Sequence, residues 1–215
     1  MNMDARFIHI ACEEKEEIPI LDSEVGEIAD IVECGAGLIF KESISAITAM
    51  KKRFPDKEIV ADIKMTPLVA YHHGRSFFEA GADALIITGT KYKREMKPVM
   101  DIARELDKKI YVVIETEPCE VIDQKVLNMY QEIGVKHLIY HSIKKKAPFW
   151  TEEDKENIMA IGYDRFCVSI TGHVGIDTIL FLKGIPIYSY IIGSGIMKAE
   201  DPVSQIKEYR KMIDK

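Results

Sequence analysis

The chain has 215 residues, a net charge of −6, 47% hydrophobic and 30% charged residues. That length can bury a substantial core, and the acidic balance argues against a nucleic-acid partner, which is usually met by a basic stripe. A small anionic ligand stays open, since a few local cations and backbone donors suffice for one phosphate. No apolar run reaches the ~18 residues that cross a bilayer, so no membrane partner is expected. Met1 to Arg6 lacks the basic-then-apolar order of a secretion signal, which makes the cytoplasm the expected location. Cys12, Cys34, Cys119 and Cys167 include no Cys-x-x-Cys pair and have no His-rich partner segment. Free thiols are therefore expected, not a zinc site or a disulfide framework.

In chain order, a first apolar strand over 7–11 is followed by 13–27, where Pro19 interrupts the pattern and predicts a loop with a short helix. A strand over 31–33 leads to a helix over 43–53. There Ile44, Ile47 and Met50 fall at helical spacing, and Lys51, Lys52 and Arg53 complement the dipole in the last turn. Strands over 59–63, 84–88, 110–115 and 137–140 alternate with helices over 71–80, 92–106 and 120–133. The pattern continues with a helix over 152–161, a strand over 166–170, a helix over 176–182 and a strand over 187–192. A last helix over 202–213 opens on Pro202, after a capping Asp201. Several strands are apolar without alternation, as strands covered on both faces are. Strands alternating with helices mean parallel pairing. About eight such units predict an α/β fold, a single-domain (β/α)8 TIM barrel over 1–215. An open doubly wound sheet is the alternative, weakened because no Gly-rich dinucleotide fingerprint follows the first strand.

Barrel chemistry takes place at the C-terminal ends of the strands. The predicted ends carry Cys12 and Glu13, Glu33, Asp62 and Lys64, Thr88, Glu115, His141, Thr171-Gly172-His173 and Gly193-Ser194-Gly195. Asp62 and Lys64 are two apart on an extended segment, which places both on one side of the strand, facing the mouth. With Glu33 on the adjacent strand, two carboxylates suit Mg²⁺, a hard ion held by one or two carboxylates plus water and substrate oxygens. The alternative is a buried salt bridge closing the top of the barrel. Glycines after strands seven and eight let backbone amides approach a phosphate; taken singly they are ordinary tight turns. His141 is placed to transfer a proton near neutral pH. The neighbouring Lys144, Lys145 and Lys146 either guide an anion or form a solvated loop. His72 and His73 read as structural or surface residues, and Phe149 and Trp150 as loop packing.

These residues, in this order, resemble the orotidine-5′-phosphate decarboxylase superfamily. Within it they are most similar to the 3-keto-L-gulonate-6-phosphate decarboxylases and the 3-hexulose-6-phosphate synthases. The resemblance runs from Phe7 to Ile213. It rests on Ile31-Val32-Glu33, Ala61-Asp62-Ile63-Lys64, Glu79-Ala80-Gly81-Ala82-Asp83, Ile114-Glu115, Tyr140-His141, Thr171-Gly172, Lys183-Gly184-Ile185-Pro186-Ile187 and Gly193-Ser194. It implies Glu33 and Asp62 as Mg²⁺ ligands, and Lys64 as the cation that stabilises an enediolate formed when CO2 leaves. Glu13, Glu115 and Thr171 would bind the sugar chain, His141 would deliver a proton, and Gly172, Gly193 and Ser194 would bind phosphate. Lys144 stands where the family has an arginine. The resemblance further implies a phosphorylated sugar substrate and a homodimer whose active sites are completed across the interface.

Three further positions depart from the family. Pro67 replaces the last acid of Asp-x-Lys-x-x-Asp, which normally enters the partner's site; His173 replaces a second glycine; and Ser194 replaces the decarboxylases' arginine, as in the synthase branch. The function expected is a Mg²⁺-dependent carbon–carbon lyase of the decarboxylase type. The alternatives are synthase-type aldol chemistry, or a barrel that binds a sugar phosphate without turnover.

Overall fold

The computed structural model describes residues 6–115, 122–142, 144 and 146–214, the side chain of Glu115 excepted. Eight parallel strands close on themselves in sequence order, with β8 returning to pair with β1. They are β1 (Phe7–Cys12), β2 (Ile31–Cys34), β3 (Glu58–Met65), β4 (Ala84–Thr88), β5 (Lys109–Glu115), β6 (His137–His141), β7 (Cys167–Thr171) and β8 (Ser189–Ile192). Every predicted strand is present, and the closed barrel replaces the open-sheet alternative.

Alternation along the strands explains the two layers of core. Ala11, Ile31, Val60, Ile86, Tyr111, Val113, Ile139 and Ile191 fill the barrel interior. Their neighbours Ile10, Val32, Ile59, Leu85, Ile87, Val112, Leu138 and Ile170 turn outward and pack under the helices. Both sides of each strand are thus dry, which is why the sequence reads as continuous apolar runs.

Besides the short unpredicted turn Ser194–Met197, the helices differ from expectation in three places. The stretch predicted as mostly loop is helical over 15–28, with one non-helical residue at Ser23, and Pro19 lies in the first turn of a helical segment. Its missing N–H costs nothing there, so the proline initiates the helix. A separate helix, Ala36–Glu42, precedes Ser45–Arg53. The helix after β3 begins at Pro67, four residues earlier than predicted, capped by Thr66, whose hydroxyl accepts from the Val69 amide. Position 67 is thereby a helix start, the backbone position that best tolerates proline. The predicted opening of the 120–133 helix and Cys119 lie outside the described residues; the helix is described over Gln124–Ile133. No helix among the described residues is long and apolar enough to cross a membrane.

The N-terminal end of the barrel is closed by a polar cluster the sequence did not single out. The Tyr111 hydroxyl donates to Glu58 Oε1 at 2.7 Å, and Lys109 pairs with the other oxygen of Glu58. The Tyr111 ring stacks on His137, centroids 4.5 Å apart, and Tyr188 meets His137 edge-on at 5.1 Å. His137 is buried, and its Nδ1 has no hydrogen-bond partner.

Candidate active site

At the opposite end, the C-terminal ends of the strands surround one cavity of about 630 Å³. Glu13, Glu33, Asp62, Lys64, His141, Thr171, Gly172, Gly193 and Ser194 all line it. The two acids and the amine from β2 and β3 therefore share a single solvent-accessible bowl with the glycines of β7 and β8.

Asp62 and Lys64 meet, but not through regular strand alternation. The register between β3 and β4 shifts between Asp62 and Met65, and Lys64 has φ +46°. A lysine in the left-handed region is costly unless its surroundings hold it there. Asp62 does so from both ends: Oδ1 accepts from the Lys64 amide and Oδ2 from Lys64 Nζ, each at 2.8 Å. The bulge lifts the ammonium toward solvent, 43% exposed, while the carboxylate stays 7% exposed. Burial acts to lower the Lys64 pKa, but the Asp62 carboxylate outweighs it and leaves the group above the ordinary lysine value. Lys64 is a fixed cation at neutral pH.

Glu33 lies one layer deeper, in register with Val60 on β3 and Ala11 on β1. It is 3% exposed. Burial pushes its carboxyl above the usual range; His9 acts against this, and Asp62 adds to it. Nε2 of His9, itself fully buried, lies 3.0 Å from Glu33 Oε2. The approach is out of hydrogen-bond alignment, so both atoms lack a proper partner. An orphaned carboxylate oxygen beside a second carboxylate is a place where a hard cation fits, with water and substrate oxygens completing its shell. Among the described residues no cluster of three or more His, Cys, Asp or Glu forms a closed metal site. His9 went unnoticed in the sequence, although the inward alternation Phe7, His9, Ala11 places an imidazole inside the barrel.

Glu13 lines the cavity, but its carboxylate is already engaged. Oε2 accepts from the Gly37 amide at 2.9 Å, and Glu17 accepts from the amides of Glu13 and Glu14. A Cβ on Gly35 would stand 2.4 Å from the Glu13 carboxyl carbon, so only glycine permits that approach.

Gly172 has φ +92°, and a Cβ there would lie 2.2 Å from the Ser142 carbonyl oxygen and 3.1 Å from the His141 ring. The β6 and β7 loops thus touch backbone to backbone. The contact is tied down where Trp150 Nε1 donates to Gly172 O at 3.0 Å and Ser142 Oγ to Phe149 O at 2.6 Å. His173, also left-handed at φ +52°, does not close the pocket; its ring stacks on Phe149 with centroids 3.9 Å apart, and both line the cavity.

Lys144 does not line the cavity. Its ammonium donates to Thr151 Oγ1 at 2.8 Å and pairs with Asp154, which also accepts from the Tyr140 hydroxyl at 2.9 Å. Burial opposes ionisation of Asp154, but the bonds from Lys144, Thr151 and Tyr140 prevail and hold its pKa low. Lys144 is a half-buried strut between β6 and the helix Glu152–Ile161, so its predicted part in substrate binding gives way to this structural one. Glu115 ends β5, and its side chain lies outside the described residues, as does Lys145. Lys198, Asp177, Glu14 and Glu17 line the cavity without having been singled out, because their loops carry no strand-end signature.

A model of the orotidine 5′-phosphate decarboxylase / HUMPS family matches residues 13–209. The probable 3-keto-L-gulonate-6-phosphate decarboxylase of Mycoplasma pneumoniae is 25% identical, over 90% of this chain and 88% of its own. The crystal structure of 3-keto-L-gulonate-6-phosphate decarboxylase from Vibrio cholerae O1 biovar El Tor has a TM-score of 0.85 at 24% identity, with 98% of each chain covered. The crystal structure of a 3-hexulose-6-phosphate synthase has a TM-score of 0.79 at 26% identity, covering 96% of this chain and 99% of its own. This barrel, with its paired acids and its lysine at the mouth, belongs to the orotidine 5′-phosphate decarboxylase / HUMPS family.

Proposed function

We propose that this protein is a Mg²⁺-dependent lyase that breaks a carbon–carbon bond in a sugar phosphate, of the 3-keto-L-gulonate-6-phosphate decarboxylase kind. The observation that carries the reading is the single cavity uniting Glu33, Asp62 and Lys64 with the glycine loops of β7 and β8. Glu33 and Asp62 would hold the cation, which supplies polarisation of the substrate oxygens. When the bond to the carboxylate breaks, its electron pair stays on the sugar as an enediolate and CO2 leaves. Lys64 stands where that negative charge develops, and interactions that strengthen as charge develops are the ones that accelerate the step. His141 is positioned to return a proton to the carbon. Thr171 orients the sugar chain, and Gly172, Gly193 and Ser194 receive the phosphate.

Aldol chemistry of the synthase kind is the second reading, favoured by Ser194, which faces the cavity where the decarboxylases place an arginine. Incubation with Mg²⁺ and 3-keto-L-gulonate 6-phosphate is expected to release CO2, and EDTA to abolish the release. Formaldehyde condensation with a ketose phosphate in place of CO2 release would move the assignment to the synthase; binding with neither reaction would mean a non-catalytic barrel.

We further place this chain in the cytoplasm and in a homodimer. Cys12, Cys34 and Cys167 are buried and form no disulfide among the described residues, and burial pushes the Cys12 and Cys34 thiols up to about 12, which suits a reducing compartment. Phe40 is 75% exposed and Leu68 64%, with Val69, Tyr71 and Tyr92 also exposed. These side chains follow β2, β3 and β4, and Leu68 begins only four residues after Lys64. Apolar exposure on the segments that follow three adjacent strands at the mouth end suits a second copy seated there. Phe40→Asp combined with Leu68→Asp is expected to halve the mass measured by sedimentation; a wild-type protein already monomeric at high concentration would contradict the dimer.

A further inference from the structure

A phosphate dianion needs a counter-charge as well as backbone amides, and position 194 carries a serine. Of the basic side chains lining the cavity, Lys64 is held by Asp62, His173 is stacked on Phe149, and His141 at the end of β6 is assigned to proton delivery. Lys198 also lines the cavity, is exposed, and makes no ion pair with any described residue. Its backbone is fixed to the glycine loop, since its amide donates to Ser194 O at 3.1 Å and closes the short helical turn Ser194–Met197. That turn begins directly after Gly193, so the ammonium is carried by the same segment that presents Gly193 and Ser194. The opposing charge at this end is Asp177, which also lines the cavity. Without Lys198, an anion arriving here would meet a carboxylate and no committed cation.

We propose that Lys198 is the cation that binds the substrate's phosphate in this protein, in place of a cation at position 194. A flexible lysine acts on phosphate as a point charge, without the planar fork of arginine. It can therefore serve from four residues further along the chain, provided its stem reaches over the turn. The inference rests on the sugar-phosphate reading above and names the residue that makes the recognition electrostatic.

The test is calorimetric titration with inorganic phosphate at low ionic strength, beside steady-state kinetics on the phosphorylated substrate, for wild type, Lys198→Ala, Lys198→Arg and the surface control Lys207→Ala. Lys198→Ala is expected to weaken phosphate binding about tenfold to a hundredfold, the range of one charge-assisted hydrogen bond. It should raise KM by a similar factor with kcat nearly unchanged. Lys198→Arg should restore most of the affinity, and Lys207→Ala should match wild type. Wild-type phosphate affinity in Lys198→Ala overturns the assignment of Lys198 and leaves the sugar-phosphate reading standing. A wild-type protein that neither binds phosphate nor turns over a sugar phosphate overturns both.

Discussion

Lys64→Ala is expected to lower kcat on the phosphorylated substrate by ~10²–10³-fold, the loss typical of removing one preorganised charge-stabilising donor. The expectation follows from where the ammonium is held. Asp62 clamps the lysine at its amide and at its tip, both at 2.8 Å, so the donor has little left to organise when charge develops on the substrate. Its raised pKa keeps it protonated through the neutral range, so the loss should be nearly independent of pH between about 6 and 9. KM should change little, because the phosphate site proposed above lies across the cavity on β7 and β8. Lys64→Arg should rescue poorly, since the bulge at φ +46° positions a point charge and a guanidinium would have to displace Asp62. Purified Lys64→Ala with turnover within tenfold of wild type would remove Lys64 from the chemistry.

The second large effect concerns stability. Burial pushes the His137 imidazole down from 6.5 to about 4, the positive charges of Lys109 and Lys136 push the same way, and Glu58 acts against them. The folded protein thus keeps His137 neutral at a pH where the unfolded chain protonates it. With a depressed folded pKa, the unfolded state binds the extra proton between pH 6.5 and 4, so stability falls as pH falls through that window. The loss attributable to this group reaches at most about 3 kcal/mol at pH 4, taking 1.36 kcal/mol per pKa unit. Other carboxylates titrate in the same range, so the comparison must be internal. Denaturant midpoints from pH 7 to pH 4 should fall more steeply for wild type than for His137→Phe, which keeps the aromatic contacts with Tyr111 and Tyr188 and carries no proton. Parallel slopes would show that His137 contributes nothing to the acid response.

The barrel was legible because double-sided burial writes itself into short apolar runs such as Ala84–Thr88, where all but the last residue are buried. The acids and the amine of the mouth were legible because strand ends are identifiable once the strands are. The bulge at Lys64 was not, since nothing in Asp62-Ile63-Lys64-Met65 distinguishes a regular extended segment from one folded back on its own aspartate. Lys144 misled for a related reason. A lysine near a strand end looks available, and its partner Asp154 lies ten residues along, inside the capping box of the next helix. Pro19 read as an interruption because its position within the helix depends on where the preceding turn ends. His9 was within reach of strand alternation, which marks an inward imidazole as readily as an inward valine. Lys198 was not, because its placement depends on how a four-residue turn folds back over the mouth.

The chain holds one tryptophan, and its indole nitrogen is bonded to the carbonyl of Gly172 at the rim of the cavity. A molecule settling against that glycine would press on the peptide whose oxygen anchors the ring. Emission from Trp150 is therefore expected to follow the filling of the bowl, with no label attached and no second indole to dilute the signal.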